Sequence, residues 1–512
     1  MRTYVAIQIF IVLIFSTMIS CTTTEEYWKN RAILMKKDRR HALGSSLKLT
    51  KEEQKVNGIL MNYKLREFDE GFQNPESFLA AKHFFEAKEG IEQSKVFKLI
   101  KKIPKGASLH SHDLALASNE FLYNLTFRDN LYSCVVNGEL KLHFFSADKV
   151  NKFCNWSLVN DMRKQDPNFD NFLRSKLTLI CDNPSEKYRD LRTVWKSFTN
   201  IFLAIENLIA YYPVWQDYFY QALKELHEDN VKYLEFRGYI PEVYDLNGHT
   251  YDAVEVVKMY HDTLDKFKRD YPDFIGAKFI YAPHRSATNN TMQQYIYTFR
   301  RIKKRFPDFV AGFDLVGEED LGEPLSSFVP QLLELKSNYG ANFFFHAGET
   351  NWYDESTDLN LLDAILLNTT RIGHGFAALK HPLLLREIKE REIAIEICPI
   401  SNQVLKLVDD LRNHPGSIMI ANNDPIVIAP DDPSFWGAKG LSYDWYLAFM
   451  GMSGRESDLR FLKQLAINSI RYSSMEDHEK SEALEKWEND WSIFVKEQLS
   501  NHCSANNEAI GV

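Results

Sequence analysis

Apolar positions along this chain follow two alternating rhythms. Short, nearly unbroken apolar runs predict strands: "ASLHSH" (107–112), "KYLEFRGY" (232–239), "GAKFIYAPH" (276–284), "FVAGFDLVG" (309–317), "NFFFHAGE" (342–349), "TRIGHG" (370–375), "IAIEICPIS" (393–401) and "IVIAPDD" (426–432). Unbroken apolar character is what parallel strands need when both faces of their sheet are covered. Between the runs lie longer stretches with apolar residues three and four apart, the period of an amphipathic helix. Eight such units predict an α/β fold of the TIM (β/α)8 barrel type over residues 101–495, in preference to an open doubly wound sheet.

Three segments depart from this rhythm. Residues 22–100 read as charged amphipathic helices outside the barrel (Phe78, Ala81 and Phe85, then Phe97 and Ile100), suited to packing on the body or on a second subunit. About 120 residues separate the first two strands; part is the helical pattern 194–230, and 117–183 reads as an inserted subdomain at the rim, with few periodic runs. Residues 496–512 form a C-terminal tail.

The first twenty residues, "MRTYVAIQIFIVLIFSTMIS", carry Arg2 and an apolar core shorter than the roughly 20 residues that cross a bilayer. They predict a signal peptide, 1–21, cut near Ser20 to Thr22, and a secreted, extracellular protein without a membrane span. Sequons at Asn124, Asn155, Asn289 and Asn368 predict glycosylation and agree with export. A net charge of −9 argues against a general nucleic-acid binder. Six cysteines are too few for a disulfide scaffold; Cys134 and Cys154, twenty apart in one segment, are the expected bridge, and Cys398, in an apolar strand, a buried thiol.

Candidate chemistry sits at the ends of the predicted strands. Residues two apart on a strand face one side, so His110 and His112 project together. "FFFHAGET" adds His346 and Glu349, "RIGHGF" adds His374, and "APDDPSFWG" adds Asp431 and Asp432. Imidazoles with a carboxylate suit zinc, and His110, His112, His346 and Asp431 are the natural ligand set for one ion, with a fifth position for water. Bound zinc lowers the pKa of its water towards 7. Glu349, three residues past a ligand, is the expected proton donor, and His374 the group that orients or deprotonates the water.

These residues carry a resemblance. "PKGASLHSHD", "GFDLVGEED", "FFFHAGET", "TRIGHG", "CPISNQVLK" and "APDDP" resemble the adenosine/AMP deaminase branch of the metal-dependent hydrolases. The leader, the N-terminal helices, the insertion and "NNDPIVIAPDDPSFWGAKGLSYDWY" resemble more narrowly the secreted adenosine deaminases, or adenosine deaminase-related growth factors. Ala429-Pro430 departs from the small polar residues usual before the paired aspartates, without removing a ligand.

The resemblance implies hydrolytic deamination of adenosine and 2′-deoxyadenosine. Glu349 would protonate the purine N1, Asp432 would meet N7, the Gly317 N–H would meet N3, and Asp113 would hold a ribose hydroxyl. Trp195 with its helix (Lys196, Ser197, Phe198, Thr199, Asn200, Ile201, Phe202) and His284 would close over the nucleoside. It also implies a homodimer through the N-terminal helices and contact of the insertion with a cell-surface receptor or glycosaminoglycan, although basic and acidic residues in the insertion roughly balance. The other zinc-deaminase signature, H-x-E with P-C-x-x-C, is absent.

Overall fold

A computed structural model describes residues 23–510, and side chains as far as 502. The signal peptide expected at 1–21, Cys21 and the Cys503 side chain lie outside the described residues.

Each of the eight apolar runs overlaps a strand: β1 (Gly106–Ser108), β2 (Val231–Gly238), β3 (Gly276–Tyr281), β4 (Val310–Phe313), β5 (His346–Ala347), β6 (Arg371–His374), β7 (Ala394–Ile397) and β8 (Ile426–Ile428). They pair in parallel and in order as two four-stranded sheets, β1 to β4 and β5 to β8. Parallel bridges close both seams: Phe313 pairs with Phe343, and Ser111 with Asp431. The second seam is made by His112 N donating to Asp431 O and Asp431 N donating to His110 O, each at 3.2 Å. The ring is a TIM barrel, and its closing seam passes through three of the candidate ligands.

Three strands and the residue after a fourth carry charges inside the ring, and those charges pair. Arg237 of β2 donates to Asp314, just past β4, at 2.9 Å and to Glu396 of β7 at 2.6 Å. Arg371 of β6 reaches Glu396 at 2.6 Å and Glu235 of β2 at 2.7 Å. All five side chains are fully buried. Removing one member of such a network strands the rest and costs about 3–5 kcal/mol.

The N-terminal helices belong mostly to the body. α1 (Thr24–Arg39) buries no residue, whereas α2 (Lys51–Gln73) inserts Val56, Leu60 and Lys64. A Thr50–Glu53 capping box starts α2, and Glu53 also accepts from Trp491 at 2.7 Å and Lys463 at 2.6 Å. Of the two packings open to 22–100, α2 thus takes the one on the body, while α1 buries nothing. The helix Asp477–Ile510 runs through residue 496, the expected start of the C-terminal tail, and buries Phe494 and Val495.

The insertion is more regular than its sequence suggests. A hairpin, Leu131–Val136 with Glu139–Phe144, turns at Asn137-Gly138, both with positive φ (53° and 84°). An Asn-Gly pair with both φ positive suits a two-residue hairpin turn. Cys134 on this hairpin is bonded to Cys154. The insertion leans on α3 (Leu191–Ile209) and on the loop after β8, where Leu179 N and Thr178 Oγ1 both donate to Phe435 O at 2.8 Å. Cys398 is a buried free thiol, and Cys181 is also unbonded. No helix among the described residues is long and apolar enough to cross a membrane.

Candidate active site

Strand ends β1, β5, β6 and β8 deliver four imidazoles and an aspartate to one point. Ligand atoms of His110, His346, His374 and Asp431 all lie within 4.8 Å of one another. His110 Nε2 and His112 Nε2 stand 3.2 and 3.1 Å from Asp431 Oδ1. The His346 ring centroid is 4.6 Å from that of His110 and 5.3 Å from that of His112.

The outer nitrogens are already taken. His110 Nδ1 lies 2.7 Å from Glu396 Oε2, and His346 Nδ1 lies 2.6 Å from Asp314 Oδ2. Each carboxylate fixes its ring so that Nε2 faces the centre, the arrangement that orients metal-bound histidines. Neither Glu396 nor Asp314 is among the site residues expected from sequence. The signal available is a lone acid in an apolar strand ("IAIEICPI", "FVAGFDLVG"), since a buried charge needs a partner.

A cation fits this centre. His110 Nε2 and Asp431 Oδ1 are buried with no hydrogen-bond partner. Such atoms are costly unless something else satisfies them, and a divalent ion meets lone pairs on imidazole and carboxylate together.

Glu349 follows the Gly348 turn (φ 74°). Glu319 pins that turn, accepting from Gly348 N at 2.9 Å and Glu349 N at 2.7 Å. Burial, with Asp431 and Glu319 nearby, holds the Glu349 carboxyl well above its ordinary value, which favours its protonated form. Asp432 is pushed up by burial and by the adjoining Asp431. Burial drives His374 well below the usual imidazole range; Asp431 opposes this and the neighbouring imidazoles add to it.

These groups open into a cavity of about 260 Å³. His112, His346, His374, Glu349, Asp431 and Asp432 line it, together with Asp113, His284 and Gly317. Asp113 accepts from Tyr260 Oη at 2.8 Å, and burial raises its pKa to about 7. Gly317 has φ 108°, and a Cβ there would come 2.9 Å from His284 Nδ1, so the position suits glycine alone.

α3 covers one side with Trp195, Phe198, Thr199 and Phe202, joined by Leu203 and Glu206. Lys196, Ser197, Asn200 and Ile201 do not line the cavity. A helix shows one stripe to a pocket, and the stripe at i, i+3, i+4 and i+7 from Trp195 excludes them. Leu203 and Glu206 extend that stripe beyond the expected residues, and Tyr239, Val316, Glu318 and Leu405 join from the facing loops without a signal in the sequence.

Comparison with known proteins agrees with this geometry. The family model described as "Adenosine deaminase" matches residues 182–489, and "Adenosine/AMP deaminase N-terminal" matches 7–100. The chain is 47% identical over 476 residues to an "Adenosine deaminase" of Aedes albopictus, covering 92% of this chain and 88% of that one. It is 42% identical over 475 residues to the "Adenosine deaminase 2" of Homo sapiens, covering 91% and 93%. Among solved structures, an amidohydrolase from Burkhoderia ambifaria with bound zinc shares the fold, with a TM-score of 0.52 at 18% identity over 79% of this chain and 95% of that one. With the matched domain spanning more than half its length, this chain belongs to the adenosine deaminase family.

Proposed function

We propose that the protein is a secreted, zinc-dependent adenosine deaminase. It would convert adenosine and 2′-deoxyadenosine, with water, to inosine and 2′-deoxyinosine plus ammonia. One observation carries the reading: Glu349, a buried carboxyl, lines the same cavity as a cation-ready cluster of histidines and an aspartate. The names of the mosquito and human relatives support the reaction. The bound zinc of the amidohydrolase, and the nitrogen-rich donor set, support zinc over magnesium or calcium.

His110, His112, His346 and Asp431 would hold the ion, which supplies Lewis acidity that makes water nucleophilic near neutral pH. Glu349 gives its proton to purine N1, drawing electrons from C6 as the water oxygen attacks. Asp432, its carboxyl held above the ordinary range by burial and by Asp431, donates to N7. His374 faces the attacking oxygen. The C6–N bond then breaks: one proton of the attacking water goes to the leaving amine, the other returns to the Glu349 carboxylate as the C6 carbonyl forms, and ammonia leaves.

The cavity lining contains Asp113, Glu206 and Glu318 and no lysine or arginine, which favours a nucleoside over its 5′-phosphate. Secretion rests on the leader in the sequence and on four sequons whose asparagines, Asn124, Asn155, Asn289 and Asn368, are all exposed. Lowering extracellular adenosine would be its physiological effect and a route to growth-factor behaviour. α1, with Tyr27, Trp28 and Leu34 exposed, would pair two copies, and the insertion would meet a cell-surface receptor or glycosaminoglycan.

The test is loss of adenosine absorbance with the recombinant secreted protein, with and without a zinc chelator, and with AMP alongside. Fast, chelator-sensitive loss with adenosine and little with AMP is the expected result. No turnover by folded, zinc-loaded protein would overturn the reading in favour of a binding protein.

A further inference from the structure

From the Nδ1 side of His374 runs a short buried chain of hydrogen bonds. Gly416 N lies 2.9 Å from His414 Nδ1, His414 Nε2 lies 2.9 Å from Asn402 Oδ1, and Asn402 Nδ2 lies 3.1 Å from His374 Nδ1. Asn402, on α4 (Pro399–Val404), is fully buried, and both histidines are nearly so.

The direction of this chain is fixed at its far end. A backbone N–H can only donate, so His414 Nδ1 accepts from Gly416. A neutral imidazole that accepts at one nitrogen carries its proton on the other, and burial keeps His414 neutral by pushing its pKa down to about 3. His414 Nε2–H therefore donates to Asn402 Oδ1. The amide must then turn its NH₂ to His374, and an NH₂ group can only donate. His374 Nδ1 is thereby an acceptor. The competing partner on that nitrogen, Glu349 Oε1, stands 3.6 Å away, beyond hydrogen-bond reach.

We propose that Asn402 and His414 are positioning residues that lock His374 in its Nε2–H tautomer. His374 then meets the attacking oxygen as a hydrogen-bond donor and cannot take that oxygen's proton. This rests on the deaminase reading above and chooses between the two roles the sequence left open for His374. The water's protons then go to the leaving amine and to the Glu349 carboxylate. A fixed N–H aimed at an oxygen that gains charge acts more strongly in the transition state than in the ground state, as oxyanion donors do.

A polar cluster that only braces loops would behave differently on substitution. Asn402→Asp keeps the size and presents only acceptors, so it would draw a proton onto His374 Nδ1 and strip it from Nε2. The expected result on the zinc-loaded full chain is a fall in kcat of about 10²–10³-fold, as for loss of one oxyanion donor, with KM little changed. Affinity for a tetrahedral analogue, 6-hydroxy-1,6-dihydropurine riboside, measured by calorimetry, should fall by the same factor as kcat/KM, while that for inosine holds. His414→Gln, which still offers an N–H towards Asn402, should recover most of what His414→Leu loses.

Zinc content and melting temperature are measured on every variant. Equal losses of tetrahedral analogue and inosine binding would mean a bracing role and overturn the proposal. So would wild-type kcat in Asn402→Asp, or indistinguishable His414→Gln and His414→Leu. A wild-type protein that does not deaminate adenosine would overturn the deaminase reading itself, before any variant is compared.

Discussion

Asp314 holds His346 at two points: its Oδ2 lies 2.6 Å from the ring Nδ1 and its Oδ1 accepts from the backbone N of the same residue at 2.9 Å. One carboxylate thus sets the strand end and the ring that projects from it. Burial would push Asp314 towards protonation, but His346 and Arg237 outweigh it and hold the carboxyl far below its ordinary range. Asp314→Asn should weaken zinc binding about 10–100-fold, the usual effect of losing such a support. It should also destabilise the fold by about 3–5 kcal/mol, since Arg237 loses a buried partner. Chelator competition and urea unfolding read the two effects separately; zinc affinity equal to wild type would refute the support role.

Glu349→Gln removes the acidic proton and keeps the size. The ligand cluster does not use Glu349, so elemental analysis should find zinc unchanged while turnover falls by about 10²–10⁴-fold or more. Near-normal turnover would exclude Glu349 as the proton donor.

Much of this site is legible in the sequence because the barrel places strand ends on one face. His110, His112, His346, His374 and Asp431 each sit at the end of an apolar run, and the fold turns that one-dimensional regularity into a cluster. The supports are harder to see. Glu396, Asp314 and Arg237 stand out only as charges inside apolar strands, and which charge meets which histidine depends on register around the ring. Asn402 and His414 are twelve residues apart in loop and short helix, with no periodic signal to join them to His374. The hairpin at Asn137-Gly138 does have a signal, which the reading of 117–183 as largely aperiodic misses: "ELKLHF" alternates buried Leu140, Leu142 and Phe144 with half-buried neighbours.

Glu206 lies one helical turn beyond Phe202 on the α3 stripe, in the same cavity as Asp113 and Tyr239. A carboxylate about 8 Å from a phosphate charge costs roughly 2 kcal/mol at an effective dielectric near 20. Glu206→Gln should therefore raise kcat/KM for AMP relative to adenosine by about tenfold or more, with the gain shrinking as salt rises. An unchanged ratio would mean that shape alone excludes the nucleotide.

α1 can be removed without opening the core, because none of its residues is buried. The wider deletion of 22–100 would strip Val56, Leu60 and Phe84 from the body and measure misfolding. On the proposed pairing through α1, deleting Thr24–Arg39 should leave a monomer by light scattering where the full chain gives a dimer, while the melting temperature stays within a few degrees. A dimer that survives the deletion would place the subunit contact elsewhere.

Lys64 provides a test of how α2 is tied down. Its Nζ donates to Gly454 O and Ser457 O at 2.9 Å and to Ser453 Oγ at 3.2 Å, and lies 3.8 Å from the centre of the Phe449 ring. Burial pushes its pKa down to about 7, against the opposing charges of Asp458 and Glu456. The unfolded chain, with an ordinary lysine pKa of about 10.4, binds a proton that the folded chain has released between these values. Stability from this residue therefore rises with pH from about 7 to about 10, and is lost as pH falls back through that window. The advantage of wild type over Lys64→Met should grow by about 2 kcal/mol between pH 7.5 and 9.5, read from urea midpoints at each pH. A constant difference across that range would mean that Lys64 stays charged in place, its three acceptors and the Phe449 face compensating for the water it has lost.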